Sequence, residues 1–550
     1  MTPSPESILA YHQATKHHPG MYAPGPGGLD WSNQPHPFRR YRGALEIPLS
    51  READDQVTYH QALFGLVPPQ PLNPGFISRL FFHSLALSAR KSFAGSTWAL
   101  RVNPSSGNLH PTEAYLACGP VEGLTDAPSI SHYQPAEHAL EVRSAPTPEQ
   151  WRTICGGREE GIMIGLSSIP WRESWKYGER AYRYCQLDLG HALAALSLAG
   201  AGLGWRAELL DNFATRDLDE LMGLHVQGPE AERGECMLYL GPPDRASGED
   251  RPARVPIPAM SWQGRPNVLS GAHVRWPLVE RAFEAAGKPA TETKREMKME
   301  METGAREGGR DDPVAPRRAG VTAERFRPGT ETLREIVRSR RSAQAMDGRT
   351  AISRDQFCRM MALTSPRDLA AFPLLPWRPQ VHLALFVHRV EGLEQGLYLL
   401  VRDRVQEGSL RRRLSSHFLW ERPPGVPEDL DLHLLARGDF RETAMRLSCN
   451  QPIASDGCFS LAMLAEFRRP LQEWGPWFYP RLFWECGMIG QVLYLEATLA
   501  GLRGCGIGCF FDDLAHRMLE LEGLEYQDLY HFTVGGAVED QRLSTLNPYE

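Results

Sequence analysis

The chain has 550 residues, enough at roughly 150 residues per domain for three or four units. With 42% hydrophobic and 23% charged residues it can bury at least one large core, which excludes wholesale disorder. Acidic residues (67) outnumber Lys and Arg (60), and the net charge of −7 excludes a protein built to coat nucleic acid.

The chain opens with Met1-Thr2-Pro3-Ser4-Pro5-Glu6, which lacks the basic stretch and apolar core of a signal peptide. A Pro/Gly-rich run over 19–37 makes 1–38 an irregular N-terminal segment. Short apolar strands are predicted at 114–118 and 237–241, around a long helix rich in small residues near Gly190. Composition then shifts. Residues 247–328 carry a Glu/Lys/Met tract and a Gly/Arg/Asp/Pro stretch that cannot bury enough apolar surface to fold, so they are predicted to be a partly disordered linker. A helix is expected to begin near Thr332, with strands at 381–387 and 531–535 flanking a second apolar helix near Gly490. That helix contains Gln491 and Glu496, and no run of ~18 apolar residues occurs anywhere, which argues against a membrane partner. The ten scattered cysteines are read as reduced thiols of a cytoplasmic protein.

The halves repeat. Placing residue n against n+300 aligns Gly190 with Gly490, Leu193 with Leu493, Gly204 with Gly504 and Gly223-Leu224 with Gly523-Leu524. Arg40 falls opposite Arg340 in the same frame. The expected architecture is α+β: two copies of one fold, 39–246 and 329–550, each a sheet flanked by helices.

No P-loop, H-E-x-x-H or G-x-S-x-G motif occurs, and Cys505 and Cys509 have no second pair at metal spacing, so no metal is expected. Three segments remain. Arg101-Val102-Asn103-Pro104-Ser105-Ser106-Gly107-Asn108 is by composition a turn, yet its density of donors between prolines suits a planar polar ligand. Arg340-Arg341-Ser342 is either a solvated helix end or an anion grip, since guanidinium forks bind phosphate bidentately. Lys176-Tyr177 either begins a packed amphipathic helix or moves protons.

Together these segments resemble the flavin-dependent nitroreductase superfamily, in the branch of the SagB-type azoline dehydrogenases. The run Arg101-x-x-Pro104-Ser105-Ser106-Gly107-Asn108-Leu109-His110-Pro111-Thr112-Glu113 is similar to that branch's flavin loop. Lys176-Tyr177-Gly178-Glu179-Arg180 resembles its active-site helix. Arg340-Arg341-Ser342 and Cys505-Gly506-Ile507-Gly508 resemble the wider superfamily.

The resemblance implies FMN at an interface between two copies of the fold, so this chain would form its own pseudo-dimer and need no second chain. Arg101, Pro104, Ser105, Ser106, Gly107 and Asn108 from one half, with Arg340, Arg341, Ser342, Cys505, Gly506, Ile507 and Gly508 from the other, are then the cofactor-binding residues. Lys176 and Tyr177 are the catalytic candidates. A reciprocal site would lack its loop at 371–379 and would have Arg39-Arg40-Tyr41 for its grip, so one FMN per chain is expected. The implied activity is hydride transfer through flavin N5. It either oxidises an azoline-like small molecule or peptide, or, with NAD(P)H as donor, reduces a nitroaromatic or quinone. The alternative is a flavin-binding partner of a peptide-modification complex with little turnover. An apolar lid is expected at 474–479.

Overall fold

A computed structural model of the chain describes residues 5–52, 56–226, 228–243, 255–290, 329–365, 369, 372 and 375–549. The expected mixed helix and sheet architecture is observed. In the first half, seven antiparallel strands lie in the order 45–48, 139–144, 129–134, 112–118, 162–168, 233–241 and 206–210. In the second half, six antiparallel strands lie in the order 432–437, 396–400, 381–387, 459–466, 526–535 and 503–507. Past the extra edge strand of the first half, the two orders coincide strand for strand. The central strands Ile162–Ser168 and Val381–Val387 are buried along their whole length, as continuous apolar runs covered on both faces must be.

Two helices, Ala181–Ala201 and Tyr479–Leu499, form the seam between the halves. Both are apolar nearly all round, and such helices are stable only when buried. They cross at glycines. A Cβ on Gly190 would stand 2.3 Å from the Trp484 carbonyl oxygen, and one on Gly487 would stand 2.2 Å from that of Leu187. Any side chain there would force the helices apart.

This crossing corrects the repeat register from 300 to 297. Gly190 pairs with Gly487, and the left-handed Gly178 and Gly204 match the left-handed Gly475 and Gly501. Strand Arg206–Leu210 matches Arg503–Ile507, and helix Thr215–Met222 matches Asp512–Leu519. The left-handed cap Gly223 matches Glu520, so Gly523-Leu524 is not its counterpart. Arg39-Arg40-Tyr41 is also not the counterpart of Arg340-Arg341-Ser342. Tyr41–Arg42 pairs with Arg265–Pro266, and the Arg39 guanidinium donates to the backbone carbonyls of Asn267 and Glu230. The true equivalents of the Arg340 helix begin at Thr58. Thr58 and Thr332 each cap a helix through a capping box, and the two residues bridge each other.

Two segments expected to be irregular are structured. Within 1–38, helix Pro5–Ala14 buries Ile8, Tyr11 and His12, and Arg183 donates to its His12 carbonyl. Within 247–328, residues 255–290 carry the strand that pairs with Tyr41–Arg42 and helix Pro277–Ala285, which packs on the N-terminal helix. Neither segment is periodic enough to fold alone; each is shaped by the surface it covers. The remainder of the linker, including the Glu/Lys/Met tract, lies outside the described residues. At the other end, strand Ser544–Leu546 of the second half adds to the Leu87–Phe93 and Ser96–Arg101 hairpin of the first.

Candidate functional site

A cavity of about 460 Å³ lies between the halves. The first half contributes the loop 103–108, which leaves strand Ser96–Arg101 and enters strand Thr112–Cys118. The second half contributes Arg340, Arg341, Ser342, Cys505 and Gly506. Residues more than 230 positions apart in sequence thus face one space.

The loop is braced from within. Gly107, Asn108 and His110 are all left-handed (φ 61°, 61° and 53°). The Ser106 N–H and hydroxyl both donate to Asp188 at 3.0 and 3.1 Å, and the Ser105 hydroxyl accepts the His110 N–H at 2.8 Å. The serine hydroxyls expected to face a ligand are therefore spent on holding the loop. Asn108 donates to the Ala99 carbonyl and accepts from His110. What the loop leaves unmatched is Asn103, which lines the cavity with a buried Oδ1 that has no partner.

The basic side is unusual in its charge. Arg340, buried, donates to the carbonyls of Val102 and Arg101 and so ties the second half to the base of the loop. Burial pushes its guanidinium down to about 10, with Arg503 adding to the shift. Arg341 falls to about 10 as well, from burial and then from Arg340, Arg503 and Arg338, with Glu539 opposing. Among the described residues no carboxylate forms an ion pair with Arg340, Arg341 or Arg503, all of which line the cavity. Ser342 shares a 2.9 Å hydrogen bond with the Tyr494 hydroxyl, which also accepts the Gly506 N–H. A Cβ on Gly506 would collide with Tyr530.

The remaining predicted residues separate. Cys505 lines the cavity, and burial pushes its thiol up to about 12. Ile507 points away into the apolar core of the second half. Gly508 packs on the Tyr184 ring. Arg101 borders the cavity, but its guanidinium donates to the carbonyls of Pro37 and Thr112, which makes it a brace for the loop. Lys176 and Tyr177 end helix Pro170–Tyr177 and reach Gly107 from outside the cavity. A Cβ on Gly107 would meet the Tyr177 oxygen at 2.6 Å and the Lys176 Nζ at 3.0 Å. The expected lid at 474–479 does not border this cavity: Trp477, Phe478 and Tyr479 are buried in the far side of the seam.

Sequence reasoning missed Asp188, Tyr494, Tyr530 and Arg503, all in the cavity wall with His191, which follows the Lys176-Tyr177 run in the resemblance but was given no role. Asp188 left one signal, as the only acid in the Ala181–Ala201 helix. Burial raises its carboxyl to about 7 against the loop's hydrogen bonds. Beside it Glu173 is buried without a hydrogen-bond partner, and its carboxyl lies well above the usual range from burial, then from Asp188. His191 is pushed down to about 3 by burial and by Arg340, so it faces the cavity uncharged.

Fold and cavity together define an α+β chain whose halves share one polar, cationic site. Residues 93–241, less than half of the chain, match the model of the Nitroreductase family. Of the solved structures, a protein of Anabaena variabilis provisionally described as a nitroreductase shares 22% identity. It covers 97% of this chain and 99% of its own, with a TM-score of 0.70, and shows that the same fold extends over both halves. A Ralstonia eutropha protein described in the same way covers 38% of this chain and 96% of its own, at 17% identity and a TM-score of 0.28. The E. coli microcin synthetase McbBCD complex with truncated pro-MccB17 bound covers 45% of this chain and 94% of its own, at 17% identity and a TM-score of 0.27. No curated protein matches the chain.

Proposed function

We propose that the chain is an FMN-dependent oxidoreductase of nitroreductase type, folded as an internal pseudo-dimer, with one FMN between its halves. The observation that carries this reading is the set of three guanidiniums, Arg340, Arg341 and Arg503, left without ion pairs around a cavity closed by the 103–108 loop. Buried cations are costly unless an anion accompanies them, and a phosphate is the anion guanidinium forks fit best. The orphaned Asn103 Oδ1 would offer an acceptor to a ring N–H. The residues present therefore fit the group. Bound FMN would supply hydride transfer at its N5.

The chain's own residues do the rest. Arg341 and Arg503 would hold the phosphate, while Arg340 joins that grip to the loop through the Arg101 and Val102 carbonyls. Asp188 fixes the loop through Ser106. Lys176 and Tyr177, pressed against the outer side of Gly107, would exchange a proton with a substrate that reaches that side of the loop. Of the two activities, oxidation of an azoline-like substrate is the one that would use this Lys-Tyr pair; reduction of a small acceptor by NAD(P)H would not require it.

The reciprocal position has lost the same chemistry. In the 297 register Lys176-Tyr177 becomes Glu473-Trp474, and Cys505 becomes Glu208. Counted from the paired caps Thr58 and Thr332, Arg340-Arg341-Ser342 becomes Leu66-Val67-Pro68. Only Arg206, opposite Arg503, keeps a guanidinium there; the counterparts of Arg340 and Arg341 are apolar, and Glu208 puts a carboxylate where Cys505 stands. Purified protein should carry one FMN per chain, and an azoline peptide should bleach its flavin absorbance under anaerobic conditions. Two flavins per chain would overturn the single site. Bleaching by NAD(P)H and reoxidation by a nitroaromatic, with no response to azoline peptides, would assign the reductive activity instead; no response to any of these would leave a flavin-binding partner protein.

A further inference from the structure

Two cysteines outside the cavity are placed as no other thiols in the chain are. Cys449 follows helix Arg441–Leu447, held in the left-handed region at φ 54°, and Cys509 follows strand Arg503–Ile507. They lie 60 positions apart in sequence, yet their Sγ atoms stand 2.9 Å apart, and both are partly exposed. Gln451 clamps the two turns together, donating to the carbonyls of Ser448 and Cys509 at 2.8 and 2.9 Å. A disulfide needs the sulfurs only about 0.9 Å closer than they are.

The surroundings distinguish the two thiols. His17 accepts the Ala23 N–H at Nδ1, which leaves its Nε2–H to donate to the Cys509 sulfur. The Arg180 guanidinium donates to the neighbouring Gly508 carbonyl. Hydrogen bonding with Cys449, then from His17, lowers the Cys509 thiol, while Cys449 is pushed up. Burial pushes the thiols of Cys118, Cys185, Cys236, Cys486 and Cys505 the other way. A thiolate is the nucleophile in exchange, and its partly exposed position lets a small molecule reach it.

We propose that Cys449 and Cys509 are a redox-active dithiol that closes reversibly to a disulfide by exchange with a low-molecular-weight disulfide such as oxidised glutathione. The Cys509 thiolate attacks one glutathione sulfur, breaking that S–S bond, and the first glutathione leaves as a thiolate that takes up the proton Cys509 had released. Cys449 then gives up its proton and attacks the Cys509 sulfur of the mixed disulfide, expelling the second glutathione, which takes that proton. The protein loses two electrons and two protons, and one glutathione disulfide becomes two thiols. The pair sits one residue beyond Gly508, whose Cα packs on Tyr184, and the Tyr184 and Tyr177 rings lie 4.2 Å apart. The oxidation state of the dithiol is thus set beside the catalytic candidates, although its chemistry does not depend on the flavin.

The full chain would be equilibrated with mixtures of reduced and oxidised glutathione, quenched by alkylation and mapped by peptide mass. The expected result is a Cys449–Cys509 cross-linked peptide that disappears with dithiothreitol. Cys449→Ser should trap a glutathione adduct on Cys509, and Cys509→Ser should leave Cys449 free. On the unaltered chain, iodoacetamide at about pH 6 should label Cys509 at least about tenfold faster than Cys449. Absence of the cross-link at every glutathione ratio, or equal labelling of the two thiols, would overturn the proposal.

Discussion

Replacing Arg341 with Gln should move stability and cofactor affinity in opposite directions. The guanidinium is half-buried, and its fall from 12.5 to about 10 corresponds to about 3 kcal/mol against carrying the charge in the folded chain. Gln removes that penalty together with the donations to the Arg338 and Arg340 carbonyls, which are worth about 1 kcal/mol each. The flavin-free variant should therefore be as stable as the original or more stable by about 1 kcal/mol. FMN binding should weaken, because one charge-assisted hydrogen bond of about 1.5–3 kcal/mol is lost, a factor of roughly 10 to 150 in Kd. Thermal unfolding of the flavin-free protein and flavin-fluorescence titration measure the two quantities separately. A variant that binds FMN as tightly as the original would refute the assignment of Arg341 to the phosphate. A large loss of flavin-free stability would show that Arg341 is held for structure.

Gly190→Val should lower the melting temperature, because a Cβ 2.3 Å from the Trp484 carbonyl overpacks the seam by about 1–3 kcal/mol; an unchanged melting curve would show that the helices can separate freely. Burial lifts the Asp188 carboxyl from 3.8 to about 7, so between those values the folded chain holds a proton that the unfolded chain has released. Its contribution to stability is therefore greatest below about pH 4, falls as pH rises to about 7 and is constant above, a decline of up to about 4 kcal/mol. Asp188→Asn should flatten the drop in urea midpoint between about pH 4 and 7, and an identical slope in the variant would remove Asp188 as its source. Lys176→Ala should keep its flavin yet slow substrate-driven bleaching at least about 100-fold; unchanged turnover with flavin retained would end its catalytic role.

Where local sequence and final structure agree, a strong local signal was present. Strand Val381–Val387 is a continuous apolar run bounded by proline and appears with the same ends. Thr332 followed by Glu335 is a capping box, and the helix starts there. The repeat itself was visible, but its register slipped by three positions for a physical reason. Three residues are close to one helical turn, so within the small-residue helices the shifted alignment still matches apolar with apolar. Strands and caps have no such tolerance. At the cap, matching glycine to glycine misled, because the second half places Glu520 in the left-handed conformation that the first gives to Gly223. The N-terminal helix and the 255–290 segment were illegible because the surfaces that order them come from distant parts of the chain. The same holds for the cavity wall. The flavin-like loop and the arginine grip were readable as contiguous motifs. Asp188, His191, Tyr494 and Tyr530 join them only through the crossing of the two seam helices and the sheet beneath.

The seam also explains why two similar halves would support a single site. In the 297 register Tyr184 and Gly508 on the cavity side correspond to Arg481 and Asp211 on the other. Arg481 is ion-paired with Asp211 at 2.7 Å and stacks on Trp477 and Trp484, with its Cζ 4.3 and 5.0 Å from the ring centroids. That side is neutralised and filled by its own side chains, which is why the aromatic run at 474–479 is core and not a lid. On the cavity side the guanidiniums have no such partner and lie in a space that protein atoms do not fill. A buried cation left unneutralised weakens the fold unless something else brings the anion, so under the proposed function the cavity side is where a ligand would complete the structure.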